Sequence, residues 1–162
     1  VVNGEVESST ATSETVTKEP VKQITTVGTF VNTSGLGNGK IEKNGKPISE
    51  IALPSKYSIG ANNVPTEYKY TISGRAAAYC IPGGTTSTGK KAKPGYIAVN
   101  PKQIPYGTEM WIVSNDGVVY GYAIAADTGG FVKHGYFTCD LFMNTEEQCI
   151  QWGDRGVTIY VL

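Results

Sequence analysis

The chain has 162 residues and a formal net charge of zero, from 14 basic and 14 acidic residues. This balance gives no electrostatic basis for binding nucleic acid or an anionic membrane surface. No apolar run approaches the roughly 20 residues of a spanning helix, so we expect no membrane insertion. The chain begins at Val1 without a methionine, which is typical of a fragment or a processed product, and a missing leader therefore excludes no location.

The cysteine and histidine content argues against a metal site. The three cysteines are Cys80, Cys139 and Cys149, with no C-x2-C pair, and His134 is the only histidine. A zinc site built from several such ligands is not expected. One disulfide with one free thiol and three buried thiols are both compatible with this content. The Lys-His-Gly context of His134 predicts an exposed loop residue rather than a catalytic base.

The chain divides by composition into three parts. Residues 1–28 are rich in Ser, Thr, Val and Glu with weak alternation, which is typical of solvated strands or a linker. Residues 29–67 are rich in glycine and asparagine and then in proline, which predicts an extended connector whose later part wraps a neighbouring element. From residue 68 onward, short apolar runs alternate with turn signals, which predicts a β domain over residues 68–162.

Six apolar runs in this last part predict strands, at residues 68–79, 95–99, 109–113, 118–126, 141–143 and 157–162. Asn115-Asp116-Gly117 is a strong hairpin signal between the third and fourth runs. A short helix is predicted from Thr145, a suitable N-cap, to Gly153, a suitable stop. This pattern favours a compact β-barrel with one helix. The last run is too apolar for an exposed edge strand and should pair on both sides.

The most informative motif is Asp127-Thr128-Gly129-Gly130, followed by Asp140 in a second apolar run. A Gly-Gly turn lets the backbone double back, so the two carboxylates could share one cleft. Two nearby carboxyl groups in different environments can have different pKa values, so that one stays protonated near neutral pH. Such a pair is what the cleavage of a glycosidic bond requires. On the residues alone, an Asp in a turn and an Asp capping a helix or bulge are the more common explanation of such a motif, because Asp and Gly are ordinary turn residues.

Residues 68–162 resemble the three-aspartate (3D) domain of bacterial cell-wall proteins. Seven blocks carry the resemblance in the right order, at residues 76–80, 85–89, 97–101, 104–108, 120–130, 140–142 and 152–162. The resemblance implies a mainly β fold, a six-stranded double-psi β-barrel with one short helix, preceded by an extended N-terminal arm. Residues 1–28 resemble the tail of a glycine-five (G-five) adhesion module, with a Ser/Thr-rich linker as the alternative.

The resemblance extends to membrane-bound lytic transglycosylase A and the stationary-phase muralytic enzymes. These cleave the β-1,4 bond between N-acetylmuramic acid and N-acetylglucosamine and leave a 1,6-anhydromuramyl end. By position, Asp140 resembles the general acid, which then takes the proton of the muramyl 6-hydroxyl, and Asp127 resembles its supporting carboxylate. The resemblance implies no cofactor, peptidoglycan glycan strands as the partner, a monomer, and a secreted or wall-associated location. It also implies a substrate-binding set, namely Tyr79, Thr88, Asn100, Thr128, Gly129 and Lys133.

One departure from the family pattern bears on catalysis. The first family aspartate, after the Ile-Ala-Val run, is Asn100 here. If that aspartate only hydrogen-bonds a turn or a cleft group, asparagine can replace it; if its charge tunes Asp140, activity should change. A non-catalytic wall-binding or wall-loosening module, as in expansins, is therefore the alternative function.

Two further expectations concern cysteines and lysines. The first and last elements of such a barrel lie close together, so we expect a Cys80–Cys149 disulfide, with Cys139 a buried thiol. The cluster of three lysines at residues 90, 91 and 93 predicts either a solvated loop or a contact with the carboxylates of peptide stems.

Overall fold

The computed structural model describes residues 41, 43 and 45–162. The predictions for residues 1–28 and for the first part of the connector lie outside the described residues. The chain separates into two units, residues 1–32 and 33–162, and everything that follows concerns the second.

Six strands of the described region form one closed barrel in the order β1-β5-β2-β4-β3-β6. The strands are β1 (Tyr70–Tyr79), β2 (Tyr96–Val99), β3 (Glu109–Ser114), β4 (Val119–Asp127), β5 (Cys139–Phe142) and β6 (Arg155–Val161). One α-helix, α1 (Glu146–Trp152), precedes β6, and short 3-10 helices lie at Ala61–Asn63 and Gly130–Lys133. The prediction of a mainly β, six-stranded barrel with one helix is confirmed, while its double-psi connectivity stays a prediction.

The last strand pairs on both sides, as its apolar sequence predicts. β6 runs antiparallel to β1 from Tyr70↔Val161 to Ala76↔Arg155 and antiparallel to β3 from Met110↔Val161 to Ser114↔Val157. Because these two ladders close the barrel, no apolar strand is left as an open edge.

Alternate residues of each strand fill the barrel interior. Ile97, Val99, Met110, Leu141 and Ile159 are fully buried there. The side chain of Trp152, at the end of α1, packs against the same core, and its indole Nε1 donates to the carbonyl oxygen of Ala76 at 2.9 Å.

The helix α1 has the two predicted end signals. The Thr145 hydroxyl accepts a hydrogen bond from the backbone N–H of Gln148, and Gly153 ends the helix at a φ of 63°. A side chain at this φ is strained, so glycine is the natural residue there.

Residues 45–67 lie in an extended course along the outside of the barrel. The backbone N–H groups of Ile48 and Ser49 donate to the carbonyl oxygens of Val119 and Tyr120 in β4. Gly121 has a φ of 96°, and a Cβ there would stand 2.7 Å from Pro47, so the close approach of this segment requires a glycine.

A carboxylate anchors the same segment at the other end. Glu109 accepts hydrogen bonds from Lys56 Nζ at 2.8 Å, Tyr57 Oη at 2.7 Å and Tyr122 Oη at 2.6 Å. These three donors lower the pKa of Glu109 to about 2.

Candidate functional site

The two motif carboxylates lie on either side of one strand. Ala98 in β2 pairs with Asp127 of β4 on one side and with Asp140 of β5 on the other. Paired residues on neighbouring strands project from the same face of a sheet. The sequence neighbours of Asp140, Cys139 and Leu141, belong to the barrel interior, so Asp140 faces outward.

A register shift turns Asp127 to this outer face. Ile97 pairs with Ala125, but the next residue, Ala98, pairs with Asp127, which leaves Ala126 as an extra residue. Ala125 faces the interior, and strict alternation would aim Asp127, two residues on, inward as well. A bulge of this kind re-aims the following side chain, so the two carboxylates share one face.

Asp127 is held by four hydrogen bonds. Its Oδ1 accepts from Ser87 N at 2.9 Å, Ser87 Oγ at 2.6 Å and Thr128 N at 2.9 Å, and its Oδ2 accepts from Tyr79 Oη at 2.9 Å. Burial alone would raise the pKa of Asp127, but the donors on Ser87, Thr128 and Tyr79 outweigh it and keep that pKa below its ordinary value. Asp127 is therefore a fixed anion at neutral pH.

Asp140 has the opposite environment. Its Oδ1 is the one buried side-chain oxygen without a hydrogen-bond partner in the part of the chain that the structure describes. Burial first, and then the charge of Asp127, raise the pKa of Asp140 to about 6, although a backbone hydrogen bond from Leu141 acts against this. The pair thus combines an ionised carboxylate with a carboxyl group that keeps its proton in mildly acidic solution.

Three of the predicted binding residues gather around Asp127. Tyr79 and Thr128 donate to its carboxylate, and Thr88 donates from both N and Oγ1, at 3.2 and 2.8 Å, to the carbonyl oxygen of Ala126. A bulge leaves such a carbonyl without a ladder partner. Thr88 therefore supports the bulge that aims Asp127.

The remaining predicted residues lie in loops next to the pair. Lys133 is exposed at the end of its 3-10 helix, and the following His134 is exposed as predicted. Gly129 has a φ of −152°, which is extended backbone open to any residue, so this glycine pair does not make the expected turn. The chain instead reverses through the 3-10 helix and Gly135, whose φ is 67°.

Asn100 makes a turn. Its Oδ1 accepts from Lys102 N at 3.1 Å, and its carbonyl oxygen accepts from the backbone N–H groups of Gln103 and Ile104 at 2.9 Å. No hydrogen bond of the described residues joins its side chain to Asp127 or Asp140. These contacts fit the reading in which asparagine can replace the family aspartate, because asparagine forms such turns readily.

Ser87 is the site residue that the sequence analysis missed. It supplies two of the four bonds to Asp127 from a loop 40 positions away. Its only sequence signal is its place within the block at residues 85–89 that carries the family resemblance. Phe142 is a second such residue, since its ring packs edge-on against Tyr79 at 5.3 Å.

The three cysteines are free thiols in this structure, and Cys139 is buried as expected. Burial, followed by the neighbouring Cys80, raises the pKa of Cys149 to about 12. The two thiols of the predicted disulfide are thus neighbours, while the bond itself stays a prediction. Within residues 45–162 no three His, Cys, Asp or Glu side chains come together as metal ligands would, and no described helix is long and apolar enough to cross a membrane.

Two family models match parts of this chain. Residues 95–162 match the family model of the 3D domain, and residues 1–30 match that of the G5 domain. These two matches confirm the resemblance drawn from the sequence, for residues 95–162 and for residues 1–30.

Similar proteins include two cell-wall proteins of Bacillus subtilis (strain 168). Over 114 residues the chain is 33% identical to YabE, named as a proposed cell wall shaping protein, covering 67% of this chain and 26% of YabE. Over 83 residues it is 35% identical to the cell wall-binding protein YocH, covering 49% of this chain and 26% of YocH. The chain thus spans about a quarter of the length of each relative.

Similar solved structures include MltA from Escherichia coli, which is described as having a unique lytic transglycosylase fold. The identity is 18% and the TM-score 0.39, and the match covers 49% of this chain and 27% of the MltA chain. An expansin of Clavibacter michiganensis in complex with cellohexaose is similar at 20% identity and a TM-score of 0.42, over 57% of this chain and 50% of that one.

Proposed function

We propose that this chain acts on the glycan strands of bacterial peptidoglycan, in a secreted or wall-associated location, as a lytic transglycosylase. The observation that carries the proposal is the contrast between the two aspartates. Asp127 is an anion fixed by four donors, whereas Asp140 is buried with an unpartnered oxygen and a pKa raised to about 6. The names of the two Bacillus relatives and the 3D family match support the wall as the place of action.

Asp140 is the proposed acid and then the base of one reaction. Its carboxyl group donates a proton to the glycosidic oxygen as the bond from that oxygen to the muramyl C1 breaks. The resulting carboxylate then takes the proton of the muramyl 6-hydroxyl as O6 attacks C1. The products are an N-acetylglucosamine hydroxyl and a 1,6-anhydromuramyl end, and Asp140 recovers its proton.

The state of Asp127 favours an internal nucleophile over water. A hydrolase of the inverting kind needs a second carboxylate that removes a proton from water, and one of the retaining kind needs a second carboxylate that attacks the sugar. Four hydrogen bonds and a lowered pKa make Asp127 a weak base and a poor nucleophile. Its proposed role is to keep Asp140 protonated through its negative charge, with Tyr79 and Ser87 as positioning residues.

A non-catalytic binding or wall-loosening module is the second candidate. Two observations favour it: Asn100 stands where the family has an aspartate, and YocH is named as a cell wall-binding protein. In this candidate the outer face of the barrel binds the strand without cutting it.

Mass spectrometry of purified Gram-positive peptidoglycan after incubation with the protein separates these candidates. Asp140→Asn is the test variant. The control is Asp154→Asn, which makes the same chemical change in the exposed salt bridge between Asp154 and Arg75. We expect anhydromuropeptides from the wild type and from Asp154→Asn, and none from Asp140→Asn. New reducing ends would indicate a hydrolase, and co-sedimentation with the wall without any soluble product would support the binding module.

A further inference from the structure

Positive charge is concentrated in the loops around the two aspartates. Residues 81–108 contain four lysines and no Asp or Glu, although the whole chain has as many acidic as basic residues. Residues 128–139, between the two strands that carry the aspartates, contain Lys133 and again no carboxylate. Such a one-sided distribution attracts anions to a site that itself holds a fixed negative charge.

Lys90, Lys91 and Lys93 follow Ser87 in the segment that joins β1 to β2. The loop closes on itself through a bridge between Thr85 and Lys91 and through a bond from Thr86 N to the carbonyl oxygen of Lys90 at 2.8 Å. Its tip is fixed to the site, because Ser87 bonds Asp127 with two donors. The loop that carries the lysines is therefore fixed to the site through Ser87 and is not detached from it.

Two of the ammonium groups share one aromatic ring. Lys90 Nζ lies 5.6 Å and Lys93 Nζ 6.0 Å from the centroid of Tyr96, within the range of a cation–π contact. Like charges gathered in this way repel one another unless an anion joins them. Among the described residues, the ion pairs involve Lys43, Lys56, Arg75 and Arg155, and none involves a lysine of this loop.

We propose that Lys90, Lys91 and Lys93 form a subsite for the carboxylates of peptide stems on the glycan strand. The proposal rests on the proposed function, since it names the substrate feature that the same site selects. Each stem is attached to the muramyl residue at the bond to be cut and reaches roughly 3.5 Å further with every residue. Lysine suits this ligand because its ammonium is a point charge on a flexible stem, which accepts carboxylates that arrive in varied conformations.

Binding is measured in the Asp140→Asn background, so that no cleavage disturbs the equilibrium. The ligands are soluble uncrosslinked glycan strands with intact stems, and the same strands after an amidase has removed the stems. The variants are a triple Lys90→Gln, Lys91→Gln, Lys93→Gln chain and, as a control on an exposed lysine elsewhere, Lys46→Gln.

We expect strands with stems to bind about tenfold more tightly than strands without them, since three exposed ion pairs each contribute modestly. The triple variant should lose this preference and keep its affinity for stem-free strands, while Lys46→Gln should change neither. The preference should shrink as salt rises from about 0.05 to 0.5 M. Equal affinity of the parent chain for the two strands, or an unchanged preference in the triple variant, would overturn the proposal.

Two further arms separate stem binding from the binding of wall phosphate polymers and from the cleavage reaction. Walls are compared before and after hydrofluoric acid removes their phosphate polymers; if lysine-dependent binding disappears with the phosphate, the subsite takes that polymer and the stem proposal is wrong. Product analysis of the wild type is run separately. Absence of anhydro products would contradict the proposed reaction, whereas the stem preference is decided by the binding data.

Discussion

Replacing Asp140 by asparagine should stabilise the folded protein at neutral pH. Burial and the charge of Asp127 raise the pKa of Asp140 from 3.8 to about 6. Between these two pH values the folded chain binds this proton more tightly than the unfolded chain does. The free energy of unfolding therefore falls as the pH rises, and the stabilisation that the bound proton contributes is fully lost above about pH 6. A shift of roughly 2 units corresponds to about 3 kcal/mol.

An asparagine at this position cannot ionise and avoids that loss. It still buries an amide beside the same apolar neighbours, which costs part of the gain, so we expect about 1–3 kcal/mol of added stability at pH 7. The gain should shrink to a small fraction at pH 4 and vanish below about pH 3, where the carboxyl group is protonated in the folded and in the unfolded chain. If the same change also abolishes the proposed cleavage, Asp140 behaves as expected of an acid kept in an unfavourable environment for its chemistry.

Urea unfolding followed by tryptophan fluorescence is a suitable assay, because both tryptophans, Trp111 and Trp152, lie in the barrel. The control is Asp127→Asn, the same chemical change at a carboxylate that accepts four hydrogen bonds. We expect this variant to be less stable than the wild type by about 2 kcal/mol at pH 7. If Asp140→Asn were less stable than the wild type at pH 7, or changed stability equally at pH 4 and pH 7, the reasoning about Asp140 would be refuted.

Two more predictions concern the outer segment and the thiols. Glu109→Gln should destabilise the protein by about 1–2 kcal/mol above pH 5, because its three hydrogen-bond donors lose a charged acceptor. The difference should disappear as the pH falls towards 2. Glu67→Gln, at an exposed residue, is the control in the same denaturation series and should have no effect. Oxidation with a disulfide reagent such as oxidised glutathione should join Cys80 to Cys149 and reduce the reagent to two thiols. A protein mass two units lower, with one thiol left to alkylate, would support this pairing. Three thiols that can still be alkylated would contradict it.

Much of the barrel could be predicted from the sequence because its signals are local. Six apolar runs between turn residues gave six strands, and the pairing of β6 on both sides followed from its continuous apolar character. The helix could be predicted from Thr145, whose hydroxyl oxygen caps its first turn, and from Gly153, which lacks a Cβ and ends its last turn.

The site could be predicted only in part, because its geometry depends on long-range contacts. The spacing of Asp127 and Asp140 does not reveal the extra residue Ala126, without which Asp127 would face the barrel interior. Nor does alternation show that Ser87 reaches across 40 positions to Asp127. The Gly129-Gly130 pair also acts differently from the prediction: Gly129 is extended and Gly130 begins the 3-10 helix, so neither uses the positive φ that glycine permits.

The arrangement is also compatible with a neutral Asn100 beside the acid proposed at Asp140. Asp127 and Asp140 pair with the same Ala98 from opposite sides, so their Cα atoms are about two strand spacings, or roughly 10 Å, apart. At that distance a like charge is a secondary influence, and burial is indeed the larger cause of the raised pKa of Asp140. The side chain at position 100 accepts a hydrogen bond from Lys102 N, which asparagine does as well as aspartate. The raised pKa of Asp140 comes from burial first and from the charge of Asp127 second.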